Sequence, residues 1–338
     1  MAENPILVEV RRGSLVESAH RGAAIVCDAQ GKTVAAWGDT ARPVYPRSAV
    51  KPLQAIALVE TGAADKFALS EAELALSCAS HNGSPEHVAA VGAWLARIGL
   101  SGDDLECGAH VPSGADAALA LACKGEAPTR LHNNCSGKHA GMLATALATG
   151  DATRGYSDAD HSVQRRTRAI MGEMAGEDLG RAPMGTDGCG IPTVAMSLAG
   201  LARAMARIAA PDVLAPTRRE AVLRIRRAVA AHPFMIAGIG RFCTKIMEAA
   251  GGTILVKTGA EGVFAASLPQ QGLGIALKID DGATRASECA TATLLRRFGA
   301  TKGAADTALA AYAQTELRNW SGTPVGSLTA APALLSKP

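Results

Sequence analysis

Short apolar runs bounded by glycine lie at both ends of this chain, and longer runs of helical period fill its middle. Leu7–Arg12, Ala23–Val26 and Thr33–Trp37 read as strands, punctuated by Gly13, Gly22 and Gly31. After Gly251-Gly252 the same character returns in Thr253–Lys257, Gly262–Ala266 and Gly272–Ile279. Between these ends the spacing predicts helices over Ser48–Glu60, Leu74–Cys78, Pro85–Ile98, Ser136–Ala148, Asp158–Met174, Pro192–Ile208 and Pro216–Ala231. Ser70 with Glu73 forms a capping-box pattern, and Pro85 follows Ser84 as a first-turn proline. Ser101–Thr129 reads as a loop-rich passage and Met184–Ile191 as a glycine-rich loop. Ala283–Phe298 and Ala305–Thr315 read as closing helices.

Strands at both termini with helices between them imply an α/β protein of the α+β kind. One antiparallel sheet is built from both chain ends and flanked by helices, with a mostly helical middle sub-domain. The expected organisation is a single catalytic domain over 1–322. Its sheet sub-domain comes from about 1–45 and 250–320, and its helical sub-domain from about 48–245. A C-terminal extension over 323–338 follows.

With 338 residues, 48% of them hydrophobic, the chain can bury a large core. The net charge is +3. The densest basic runs, Arg165-Arg166-Thr167-Arg168 and Arg224-Ile225-Arg226-Arg227, fall in helical segments and read as solvated faces. Aromatic residues make up 3%, too few for base stacking, so nucleic-acid binding is disfavoured. No apolar run is long enough for a membrane span, and the first ten residues carry Glu3 and Glu9, unlike a secretory signal. A cytoplasmic location is therefore expected. The eight cysteines lack paired spacing and read mostly as free, packed thiols.

Five segments carry candidate chemistry. Ser48-Ala49-Val50-Lys51 sets a hydroxyl and an amine on one face of a helix start, where a neutral, buried lysine can activate a serine. Ser80-His81-Asn82 follows an apolar helix, and Lys257-Thr258-Gly259 ends an apparent strand. Their order matches the three motifs of serine β-lactamases and penicillin-binding proteins, although the intervals differ. Each alone also fits a cap, a turn or a strand end. His132–Met142 crowds Asn133, Asn134, Cys135, Lys138 and His139 at another helix start, and Gly185–Pro192 surrounds Asp187 and Cys189 with small residues. Two thiolates from separate loops with a nitrogen ligand suit Zn²⁺; a disulfide is the alternative.

Taken together, Arg47–Pro52, Ala79–Asn82, His132–His139 and Asp187–Pro192 resemble the bacterial L-asparaginase family typified by the rhizobial inducible enzyme. The resemblance runs from Val8 to the Lys257 strand. It implies a fold similar to serine β-lactamases and glutaminases, a homodimer, and two Ser–Lys tandems, Ser48–Lys51 and Ser80–Lys257. It also implies a zinc site on Cys135, Lys138 and Cys189. The expected reaction is hydrolysis of L-asparagine through a Ser48 acyl-enzyme with Lys51 as base. Lys51 is held neutral by burial and by Lys257. Arg47 is expected to grip the substrate α-carboxylate and Asp187 its α-ammonium, with Asn82 and His139 in support. The alternatives are a glutaminase or penicillin-recognising hydrolase on the same scaffold, and a non-catalytic zinc-binding or thiol-sensing protein.

Overall fold

The computed structural model describes residues 3–336. Eight strands form its main antiparallel sheet: β1 (Ile6–Arg12), β2 (Leu15–Asp28), β3 (Thr33–Trp37), β4 (Leu255–Thr258), β5 (Val263–Leu268), β6 (Leu273–Ile279), β7 (Gln314–Arg318) and β8 (Pro324–Ala330). Their order is β7-β8-β1-β2-β6-β5-β4, with β3 also paired to β2. Chain ends meet where β6 runs along β2, Leu273 opposite Asp28 and Ile279 opposite Gly22. Strand β2 is far longer than the apolar run Ala23–Val26. Its first half is exposed and pairs only with β1, so no hydrophobic pattern marks it.

Every residue of β5 is buried. Because successive side chains point to opposite faces, both sheet faces are covered. Helix Leu198–Ala209 lies on β2, β5 and β6, and Thr284–Phe298 packs on β1, β5, β6 and β8. The first approach is close: a Cβ at Gly274 would sit 2.0 Å from the Ala202 carbonyl oxygen, so only glycine fits there.

Four expectations change. The stretch Ser48–Glu60 is broken into a 3-10 turn, Arg47–Val50, and two short helices, Lys51–Gln54 and Ile56–Glu60. Pro192–Ile208 begins as two short strands and becomes helical only at Leu198, capped by Ser197. The loop-rich passage holds a helix, Ala115–Lys124, with no buried residue. The segment expected as a C-terminal extension contains β8, paired between β1 and β7 and therefore inside the sheet. Its glycine and proline content masked the strand pattern.

Apolar side chains gather in two clusters. One joins the sheet to its covering helices and includes Val50, Leu53 and Val256. The other lies among the middle helices and includes Leu76, Ala79, Trp94, Cys135 and Cys189. The candidate residues lie along the seam between them.

Candidate active site

The Arg47–Val50 turn starts with strain. Arg47 has φ +50°, in the left-handed region that a residue with a Cβ adopts only when held there. Its guanidinium bonds Asp187 Oδ1 through Nε (3.1 Å) and Nη2 (2.7 Å). Burial alone would raise the Asp187 carboxyl. The Arg47 bonds and the Lys138 charge outweigh burial and keep it below the usual carboxylate range.

Four residues further on, Lys51 points inward and is 1% exposed. Its Nζ donates to the Ala79 carbonyl, to Ser80 Oγ (2.9 Å) and to Cys135 Sγ (3.1 Å). Three acceptors match the three protons of an ammonium. Ser80 is pinned by its N–H to Ile236 O (2.8 Å), and its Oγ meets a second amine, Lys257 Nζ, at 2.8 Å. Lys257 is 1% exposed at the end of β4, and its Nζ also donates to Thr258 O (3.0 Å). Burial and the Lys51 charge push its pKa down from 10.5 to about 7. The depressed amine is therefore Lys257, and the acceptors around Lys51 come from segments distant in the chain.

Ser48 and Lys51 line a small cavity together with Arg47, Asp187 and Lys138. The far wall is one face of helix Ser162–Ala175, where Gln164, Thr167, Arg168 and Met171 recur at helical spacing. Among the described residues, the Ser48 hydroxyl has no hydrogen-bond partner. Ser80 and Lys257 stand behind Lys51, outside the cavity wall.

Lys138 donates to Cys189 Sγ at 2.9 Å, and both cysteines are buried. A hydrogen bond from Cys189, with the charges of Lys138 and Lys51, holds the Cys135 thiol well below its ordinary value, despite burial. The same sharing raises Cys189. Burial would depress Lys138, but the two sulfurs outweigh it and raise that amine. Two sulfurs from separate loops and the Lys138 nitrogen offer three donors to Zn²⁺ with an open position, and the raised amine must lose its proton before it can serve as the third. Among the described residues, no group of three or more His, Cys, Asp or Glu side chains is placed to hold a metal, so a cation here depends on Lys138 as its third ligand.

Asn82 and His139 lie outside the cavity wall. Asn82 Oδ1 accepts from the Ser84 hydroxyl (2.5 Å), and its carbonyl accepts from Gly114 N–H (3.0 Å). Gly238, at φ +94°, packs so tightly on Asn82 that a Cβ would lie 2.2 Å from Oδ1. His139 Nδ1 bonds the Tyr156 hydroxyl at 2.7 Å. Both side chains hold loops rather than face the cavity. Three further supports went unread in the sequence. The Ser136 hydroxyl donates to Leu131 O and accepts from His81 Nε2 at 2.9 Å, tying the Ser80 loop to the Cys135 loop. Burial keeps His81 uncharged. Glu106 accepts from the N–H groups of Gly155 (2.6 Å) and Ser157 (2.9 Å), fixing the loop that bears Ala159 of the cavity wall. The helix itself was expected over Asp158–Met174, but its basic run read as solvated, so its cavity face of Gln164, Thr167, Arg168 and Met171 was not foreseen.

The family described as L-asparaginase II matches residues 8–330. Among solved structures, the chain is similar to a beta-lactamase from Mycobacterium bovis, at 16% identity over 86% of this chain and 94% of that one, with a TM-score of 0.38. It is also similar to Mglu in its native form, at 15% identity over 84% of this chain and 62% of that one, with a TM-score of 0.43. No curated protein matches it.

Proposed function

This chain belongs to the L-asparaginase II family, and on that premise we propose that it hydrolyses L-asparagine to L-aspartate and ammonia through an acyl-enzyme on Ser48. One observation carries the reading: a continuous hydrogen-bonded path runs from cavity-lining Lys51 through Ser80 to the buried amine of Lys257.

Lys257, uncharged, takes the Ser80 proton, and Ser80 takes one from Lys51. Lys51 is then a free amine and takes the proton of Ser48, as Ser48 Oγ bonds to the side-chain amide carbon. Backbone N–H groups at the start of the Arg47–Val50 turn stabilise the oxyanion. When the C–N bond breaks, the proton returns along the path to the leaving nitrogen, giving ammonia and an aspartyl ester. Water then attacks the ester carbon and loses its proton along the same path, while Ser48 Oγ leaves and is reprotonated. Lys257 is the store of base, Ser80 the relay and Lys51, bonded to Ser80, the group that shares the cavity wall with Ser48.

Asp187 receives the substrate α-ammonium, since its Oδ2 is free of the bonds to Arg47 and Gly188, all of which fall on Oδ1. Zinc would be held by Cys135, Lys138 and Cys189, and when bound it supplies a fixed positive charge at the cavity wall. We carry forward the homodimer and the cytoplasmic location from the sequence; among the described residues no helix is long and apolar enough to cross a membrane. The test is ammonia release from L-asparagine by the purified protein. No release at millimolar substrate would sink the reading, and faster release from glutamine would reassign the substrate.

A further inference from the structure

Cations and anions in the cavity wall are almost all spoken for. Arg47 is bound to Asp187, Lys51 to Ser80 and Cys135, and Lys138 to Cys189. Arg168 is the exception. Among the described residues, no carboxylate lies within ion-pair distance of its guanidinium, whose hydrogen bond runs from Nη1 to the Met184 sulfur (3.2 Å), a weak acceptor. Its helix turns Gln164, Thr167, Arg168 and Met171 to the cavity and leaves neighbouring Arg165 exposed, with Nη1 donating to the Asp160 carbonyl. The basic run that read as a solvated face is therefore split, with Arg168 on the cavity side.

We propose that Arg168 binds the α-carboxylate of the amino-acid substrate and so makes the site selective for α-amino acids over simple amides. The inference deepens the asparaginase reading and rests on it. A guanidinium already bonded to Asp187 gains little from a second carboxylate, whereas an unpaired one in a partly enclosed cavity gains a charge-assisted, two-pronged contact. Asp187 and Arg168 then hold the two charged groups of the substrate, and its side-chain amide is left to reach Ser48.

The experiment compares wild type with R168Q, R168K and the exposed-face control R165Q. Substrates are L-asparagine and 3-aminopropanamide, which keeps the amine and the amide but lacks the carboxylate. For L-asparagine, R168Q is expected to raise KM roughly tenfold to hundredfold with little change in kcat, as for loss of one charged hydrogen-bonding partner. R168K recovers part of this, R165Q behaves as wild type, and kcat/KM for 3-aminopropanamide does not move. Equal losses on both substrates, or unchanged KM for asparagine, overturn the assignment. Calorimetry with L-aspartate separates this failure from failure of the functional reading. A protein that releases no ammonia yet binds aspartate through Arg168 sinks the hydrolase and keeps the carboxylate site. One that turns over asparagine with R168Q unchanged sinks Arg168 alone, and one that does neither sinks both.

Discussion

The Nζ of Lys257 lies 2.8 Å from Ser80 Oγ, although the two residues are 177 positions apart in the chain, and both are buried, so water screens the contact little. Ser80 is thereby bracketed by two amines, since Lys51 approaches the same oxygen at 2.9 Å. Two ammonium groups on one hydroxyl repel each other, and burial penalises both, so the site favours a single proton between them.

The pH dependence follows from Lys257. Its folded pKa of about 7 lies below the ordinary 10.5, so activity requires the deprotonated form. The acid limb of kcat/KM should rise through about pH 7 and level off above it. The unfolded chain binds more protons than the folded one between about pH 7 and 10.5, so this group destabilises the fold most below pH 7, and stability recovers as pH rises. K257M should therefore be inactive yet more stable than wild type at pH 6, with the gain fading toward pH 10. Denaturant midpoints at the two pH values check this, and a variant that is less stable at pH 6 refutes it.

The two serines should separate in kinetics. S48A removes the nucleophile, and ammonia release from L-asparagine should fall by at least about a thousandfold. S80A interrupts the relay, a loss of the order of a hundredfold or more. Product ester, trapped by rapid acid quench and read by mass spectrometry, should appear on Ser48 and never on Ser80. An ester on Ser80 reverses the roles.

The sulfur pair should decide metal content. Gently purified wild type is expected to hold zinc near one per chain by elemental analysis, and the C135S/C189S double variant almost none. Equal metal in both, or none in either, removes the site. Lys51 loses its contact with Cys135 in that variant, so activity alone would be an ambiguous readout.

Gly274 tests the close contact between helix and sheet. G274A forces a Cβ to within 2.0 Å of the Ala202 carbonyl oxygen, both on rigid backbone. The expected cost is about 1–3 kcal/mol, seen as a drop of several degrees in Tm, with KM for asparagine unchanged because the site lies elsewhere. An unchanged Tm would mean that the helix moves freely on β6.

Much of the fold was legible because its strands are apolar and punctuated by glycine. Leu255–Thr258, Val263–Leu268 and Leu273–Ile279 follow that pattern closely, and buried strands must. The exposed half of β2 and the polar edge strand Gln314–Arg318 carry no such imprint, since neither covers a core. The exposed helix Ala115–Lys124 was hidden for the same reason.

The sequence by itself determined which groups are available: two serines, three lysines, two thiols and an acid, each on a short segment with its own local signature. Tertiary structure alone decided which partners they meet. It set Ser80 between Lys51 and Lys257, locked Arg47 to Asp187 and turned Asn82 and His139 to loop support. It also brought Arg168 into the cavity. The physical reason is that the charge and direction of a side chain depend on neighbours supplied by distant stretches of chain and on exclusion of water, and neither is encoded within a motif's own few residues.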